Sequence, residues 1–105
     1  MTTRTAQAHS IPGQELEHKG FRRVKNQKSL YWKLQAGTEL TIAQIRTTGT
    51  AYKTIDYDSE EVPACHPQYL TADPEYQTFE QEELIPWAEE QAIVLAQDKL
   101  VHWYE

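Results

Sequence analysis

Apolar and polar positions alternate most cleanly over residues 29–35. Leu30, Trp32 and Leu34 fall on one side, and Tyr31, Lys33 and Gln35 on the other. A period of two with aromatic and aliphatic residues on one side marks a half-buried strand. Residues 20–25 form a shorter, mixed strand, separated from it by the polar, turn-like Asn26-Gln27. Ala36-Gly37-Thr38 then supplies a three-residue hairpin loop containing a Gly. Residues 39–47 and 50–57 are dense in Thr, Ile and Tyr and flank Thr48-Gly49. Branching at Cβ costs less on a pleated surface than on a helix, so this is a second hairpin, with Leu40, Ile42, Ala51 and Ile55 inward. Ile42 and Ile45 fall on opposite sides, which calls for a bulge or for burial on both faces. A helix-turn-helix over residues 40–55 is the rival, with Gly49 in its turn. Six Thr between residues 38 and 54 oppose it.

Beyond residue 57 the period changes. Residues 58–73 are loop-like, with Pro63 and Pro67. Asp73-Pro74-Glu75 has the order of a helix start: an N-cap, a proline in the first turn and an acid beside the positive end. The strongest helical pattern covers residues 86–96, where Leu84, Trp87, Ala88, Ala92 and Leu95 form an apolar stripe. Ile93-Val94 suits a strand better and leaves a hairpin of residues 90–96 and 99–104 as the alternative. Residues 100–104 (LVHWY) read as a final strand that docks on the sheet in either case. Residues 1–14 are polar and aperiodic, with Pro12-Gly13 as a breaker, and form a flexible N-terminal arm.

The pattern therefore predicts one α+β domain over residues 15–105. An antiparallel sheet of about four strands within residues 20–57 is packed by a C-terminal helix and joined by a last strand. An all-β, barrel-like fold is the alternative. The expected core is Phe21, Val24, Leu30, Trp32, Leu34, Leu40, Ile42, Ile55, Leu84, Trp87, Ala92, Leu95 and Val101.

Composition narrows the class. A chain of 105 residues suits a single domain, and three Trp, six Tyr and two Phe oppose wholesale disorder. The longest apolar run, residues 92–96, is far short of the ~20 that cross a bilayer, so no membrane partner is expected. Residues 1–14 lack the apolar stretch of a secretory signal. Cys65 is the single cysteine, which excludes an intrachain disulfide and any CxxC motif. A cytoplasmic, reducing setting is the expectation.

Charge changes the picture more. Through Lys53 there are nine Lys or Arg against three acids, and afterwards one Lys against thirteen acids, giving the overall −6. Either the halves offset each other when folded, or each shows one sign of charge to a partner.

Candidate chemistry is sparse. Cys65 and His66 are adjacent between Pro63 and Pro67, in an acidic stretch that does not favour a thiolate. His9, His18, His66 and His102 show no metal-ligand spacing, so no metal is expected. Four dispersed glycines, at 13, 20, 37 and 49, rule out a phosphate-cradling loop, and no cofactor is expected. A small enzyme remains an alternative without a named catalytic residue.

Two charged sets remain. Asp58, Glu60, Glu61, Glu80, Glu82 and Glu83 would form an acidic face that docks on another protein with a basic groove, as a regulatory or adaptor domain does. Arg22, Arg23, Lys25, Lys28, Tyr31 and Lys33 form a basic and aromatic segment without acids, the composition of a nucleic-acid-binding module, with Tyr31 and Lys33 exposed on the second strand. The net negative charge favours the acidic, protein-binding alternative over nucleic acid.

Overall fold

The structure, a computed structural model, describes residues 11–35, 37–63 and 74–105. It is an α+β fold built on an open, four-stranded antiparallel sheet. The strands β1 (Arg22–Arg23), β2 (Leu30–Gln35), β3 (Glu39–Arg46) and β4 (Gly49–Asp56) lie in sequence order. The sheet does not close into a barrel. Residues 40–55 are strand and turn rather than helix-turn-helix, because their branched residues pair across β3 and β4 from Glu39 opposite Asp56 to Arg46 opposite Gly49.

Alternation works on both faces. Leu30, Trp32, Leu40 and Ile42 point to one side and, with Val24, pack against Ala88, Ala92 and Leu95 of the C-terminal helix. Leu34, Ile55, Trp87 and Val101, also expected in the core, are partly buried around this cluster. The small side chains of Ala88 and Ala92, both fully buried, let the helix sit close to the sheet. The opposite face carries a second cluster of Leu16, Phe21, Tyr31 and Ala43, with Ile45 and Tyr52 against it. Burial on both sides thus explains why Ile42 and Ile45 oppose each other.

A helix, α1 (Pro12–His18), covers that second face. It begins at Pro12, within residues 1–14 expected as an arm. Pro12 sits in the first turn, where its missing N–H breaks no helical bond. At the other end Phe21 N bonds Leu16 O at 2.9 Å and Gly20 N bonds Glu17 O at 3.0 Å, with Gly20 at φ 98°. This is a glycine-terminated helix end whose flanking residues, Leu16 and Phe21, pack together. Gly13 is needed for another reason: a Cβ there would run into Tyr31 Oη.

The C-terminal half is one continuous helical run. Helix α2 (Pro74–Phe79) passes into a π-helical segment, Glu80–Leu84, and then into α3 (Ile85–Gln97). The helix expected to start at Pro86 therefore starts earlier. Pro86 has no N–H and its ring crowds the carbonyl four residues back, so the turn before it widens, with Ile85 N reaching Glu80 O. Asp73, the expected N-cap, lies outside the described residues, as do His9, Cys65 and His66.

The final strand is reduced to one bridge. Tyr52 N donates to Tyr104 O at 2.7 Å and Tyr104 N to Tyr52 O at 2.8 Å, on the outer edge of β4. Leu100 is the most exposed large apolar residue among those described, at 88%. Asp98 turns the chain out of α3 instead, its Oδ1 accepting from Leu100 N at 2.8 Å.

Lys53 is the unexpected core residue. It is 2% exposed and occupies the same sheet face as Ala51 and Ile55. Its Nζ donates to three main-chain carbonyls at the end of α3: Leu95 O at 3.2 Å, Ala96 O at 3.4 Å and Asp98 O at 2.6 Å. The last turn of α3 contains no basic residue of its own. The sheet therefore supplies the cation that favours a helix C-terminus.

Among the described residues, no helix is long and apolar enough to cross a membrane.

Candidate functional site

The acidic candidates come from two elements that the fold joins. Asp58, Glu60 and Glu61 lie on the turn after β4, and all three are exposed. Val62 follows them and is buried against Leu84, with Tyr57, Phe79 and Trp87 around the pair. Leu84 in turn follows Glu82 and Glu83, which are exposed on the π-helical segment. One small apolar cluster therefore anchors both segments that carry the acidic runs. From residue 54 to residue 98 the chain has twelve acids and no Lys or Arg. Glu82 and Glu83 also line a shallow groove of about 430 Å³ with Pro74, Glu75, Thr78 and Phe79, residues four apart along one helical face.

Glu80 departs from the other five. Its Oε2 lies 3.3 Å from Arg22 Nη2, and its side chain is only 21% exposed. It ties the π-helical segment to β1 and is not a freely presented carboxylate. Glu89 does similar work on α3, accepting from Lys25 N at 3.2 Å. Here, as at Arg46 and Glu105, the basic half of the chain meets the acidic half.

The basic candidates are dispersed by the fold. Arg22 is held by Glu80 and lies 5.7 Å over the Trp32 ring. Tyr31, expected to be exposed, is 6% exposed and packs under α1, because the second sheet face is covered and not solvated. Lys33 is half-buried, its Nζ donating to Lys19 O at 2.7 Å above the Phe21 ring. Arg23 reaches Gln27 O at 3.4 Å within its own hairpin. Arg23, Lys25 and Lys28 remain exposed on the β1–β2 connection. Tyr31 is thus removed as a stacking platform, and the segment does not form one basic and aromatic surface.

Tyr57 marks the inner border of the acidic face. Its Oη donates to Gln91 Oε1 at 3.0 Å. Burial, and then the negative charges of Glu61 and Asp98, raise its phenol above the ordinary 10.0. A phenol raised in the folded state adds stability that is complete below the unfolded value and is lost as pH climbs through the folded one. The urea midpoints of wild type and Tyr57→Phe should therefore differ by a constant amount below pH about 9, and the gap should narrow above pH about 10. A gap unchanged across that range would contradict the stated environment.

No three His, Cys, Asp or Glu side chains converge to hold a metal ion among the described residues. No family model, curated protein or solved structure matches the chain.

Proposed function

We propose that the protein is a non-catalytic binding domain that presents its acidic face to the basic groove of another protein, in the manner of a regulator or adaptor. The observation that supports this reading is the Val62–Leu84 cluster, which anchors in one place the two segments, distant in sequence, that carry the acidic runs. Asp58, Glu60, Glu61, Glu82 and Glu83 are its working residues, and Glu80 serves as a brace through Arg22. Clustered exposed carboxylates steer a basic partner and speed its capture more than they add affinity. A partner that itself binds nucleic acid, in a cytoplasmic setting, fits this chemistry.

The test is a competition assay with the full chain, a labelled DNA duplex and a Lys/Arg-rich peptide that binds it. The wild-type chain should displace the duplex from the peptide, strongly at about 50 mM salt and weakly at about 200 mM. Glu60→Lys/Glu61→Lys and Glu82→Lys/Glu83→Lys should each reduce displacement about tenfold or more, since like charges repel the peptide. Unchanged displacement by both charge-reversed pairs would exclude the mechanism. Direct binding of the duplex to the chain alone, lost on changing Arg23, Lys25 and Lys28, would favour the nucleic-acid alternative instead.

A further inference from the structure

Among the described residues, the sheet face opposite α3 is only partly covered by α1. The uncovered part forms an open groove of about 570 Å³, within the ~300–1,000 Å³ common for small-molecule sites. Its walls are aromatic. Phe21 and Tyr52 have ring centroids 6.1 Å apart, and Tyr52 and Tyr104 stack at 5.8 Å with their planes 29° apart. Its floor is a chain of hydroxyls: Thr41 Oγ1 lies 2.8 Å from Thr54 Oγ1, which lies 2.9 Å from Tyr104 Oη. Lys19, Gln35 and Glu39 stand at the mouth.

We propose that this groove binds a neutral saccharide, with a sugar ring against the Tyr52–Tyr104 pair and its hydroxyls on Thr54, Gln35 and Glu39. The geometry supplies what a polyhydroxylated ring requires: aromatic surface for its C–H face, and donors and acceptors for its edge. Charge decides against a phosphate-bearing ligand. Lys19 is the single cation among the described residues lining the groove, and the nearby Lys33 ammonium is taken up by Lys19 O. Glu39 lines the groove, and Asp56 stands opposite it on β4. A nucleic-acid strand would meet two carboxylates and one free ammonium, whereas a neutral sugar gains acceptors from the carboxylates. The site is remote in sequence from the acidic runs and is independent of them in chemistry.

Amide chemical-shift mapping of the full chain tests this with maltotriose, cellotriose, chitotriose and mannotriose, each to about 10 mM, enough to see millimolar affinity. At least one should shift the amides of Thr41, Tyr52, Thr54 and Tyr104 saturably. Tyr104→Ala should weaken that binding about fivefold or more by removing one ring of the pair. Thr41→Val, nearly isosteric, should weaken it too while leaving the rest of the spectrum in place. No saturable shift with any of the four sugars overturns the proposal. So does binding that Tyr104→Ala leaves intact, or a response of these amides only to a single-stranded oligonucleotide.

Discussion

Replacing Lys53 with Met should lower the stability of the domain by about 3 kcal/mol. The Met side chain fills most of the space of the lysine stem, so the loss reports on the ammonium. That group spends all three of its donors on Leu95 O, Ala96 O and Asp98 O. Without it Ala96 O and Asp98 O lose this donor, while Leu95 O keeps the Asp98 N–H at 3.2 Å, and each buried unsatisfied polar group costs roughly 1–3 kcal/mol. The favourable placement of a cation at the negative end of α3 disappears as well. So does the contact with Trp103, whose ring centroid is 4.6 Å from Lys53 Nζ and 4.7 Å from the Arg46 guanidinium carbon. A lysine paired with a carboxylate can often be replaced by an apolar residue at little cost. Here the partners are main-chain carbonyls that no substitution can delete, so the loss is not recovered. Urea unfolding at pH 7 measures it. A Lys53→Met protein within about 0.5 kcal/mol of wild type would mean that water satisfies the carbonyls equally well.

Ile42→Ala should cost about 2–5 kcal/mol, and Ile42→Val about 0.5–1.5. Ile42 has no exposed surface and lies between Trp32 on β2 and Lys53 on β4 in the sheet register. Strands hold it on both sides and α3 closes over it, so the cavity left by Ala has little means of collapsing. Against a typical total of about 5–15 kcal/mol, the Ala change removes a large share of the stability. Calorimetric unfolding of both variants checks the graded loss. Equal, small effects for Val and Ala would show that the core relaxes into the space.

The sheet was legible because its residues declare their period. Leu30, Trp32 and Leu34, and then Leu40 and Ile42, alternate within short spans, and Gly37 marks the turn between them. Helix α3 was legible from its stripe, although Ile93 and Val94 argued locally for a strand; burial of Ala88, Ala92 and Leu95 outweighs that preference. Helix α1 was missed because seven residues give too little periodicity. The order of Pro12, Leu16, Gly20 and Phe21 nevertheless contains its start and stop signals. Lys53 was missed because a charge is assumed to face water, although alternation with Ala51 and Ile55 already put it inside. The anchoring of the two acidic segments at one cluster could not be read at all. It depends on Val62 meeting Leu84, a contact between a loop and a widened helical turn that no local pattern encodes. Among the groove residues, Tyr52 and Thr54 share a strand face, but Tyr104 reaches them only through the path of the tail.

That path has a consequence for self-association. By alternation from Tyr52, the amides of Thr50 and Thr54 also point away from β3, toward the open side of the sheet. A row of outward amides on a flat strand is a template for another strand. Tyr104 occupies the middle of that row, and Glu105 beside it lies 4.0 Å from Arg46. One residue pair thus divides the edge into pieces too short to recruit a second chain, and release of the tail would restore a continuous edge on which two copies could zip together.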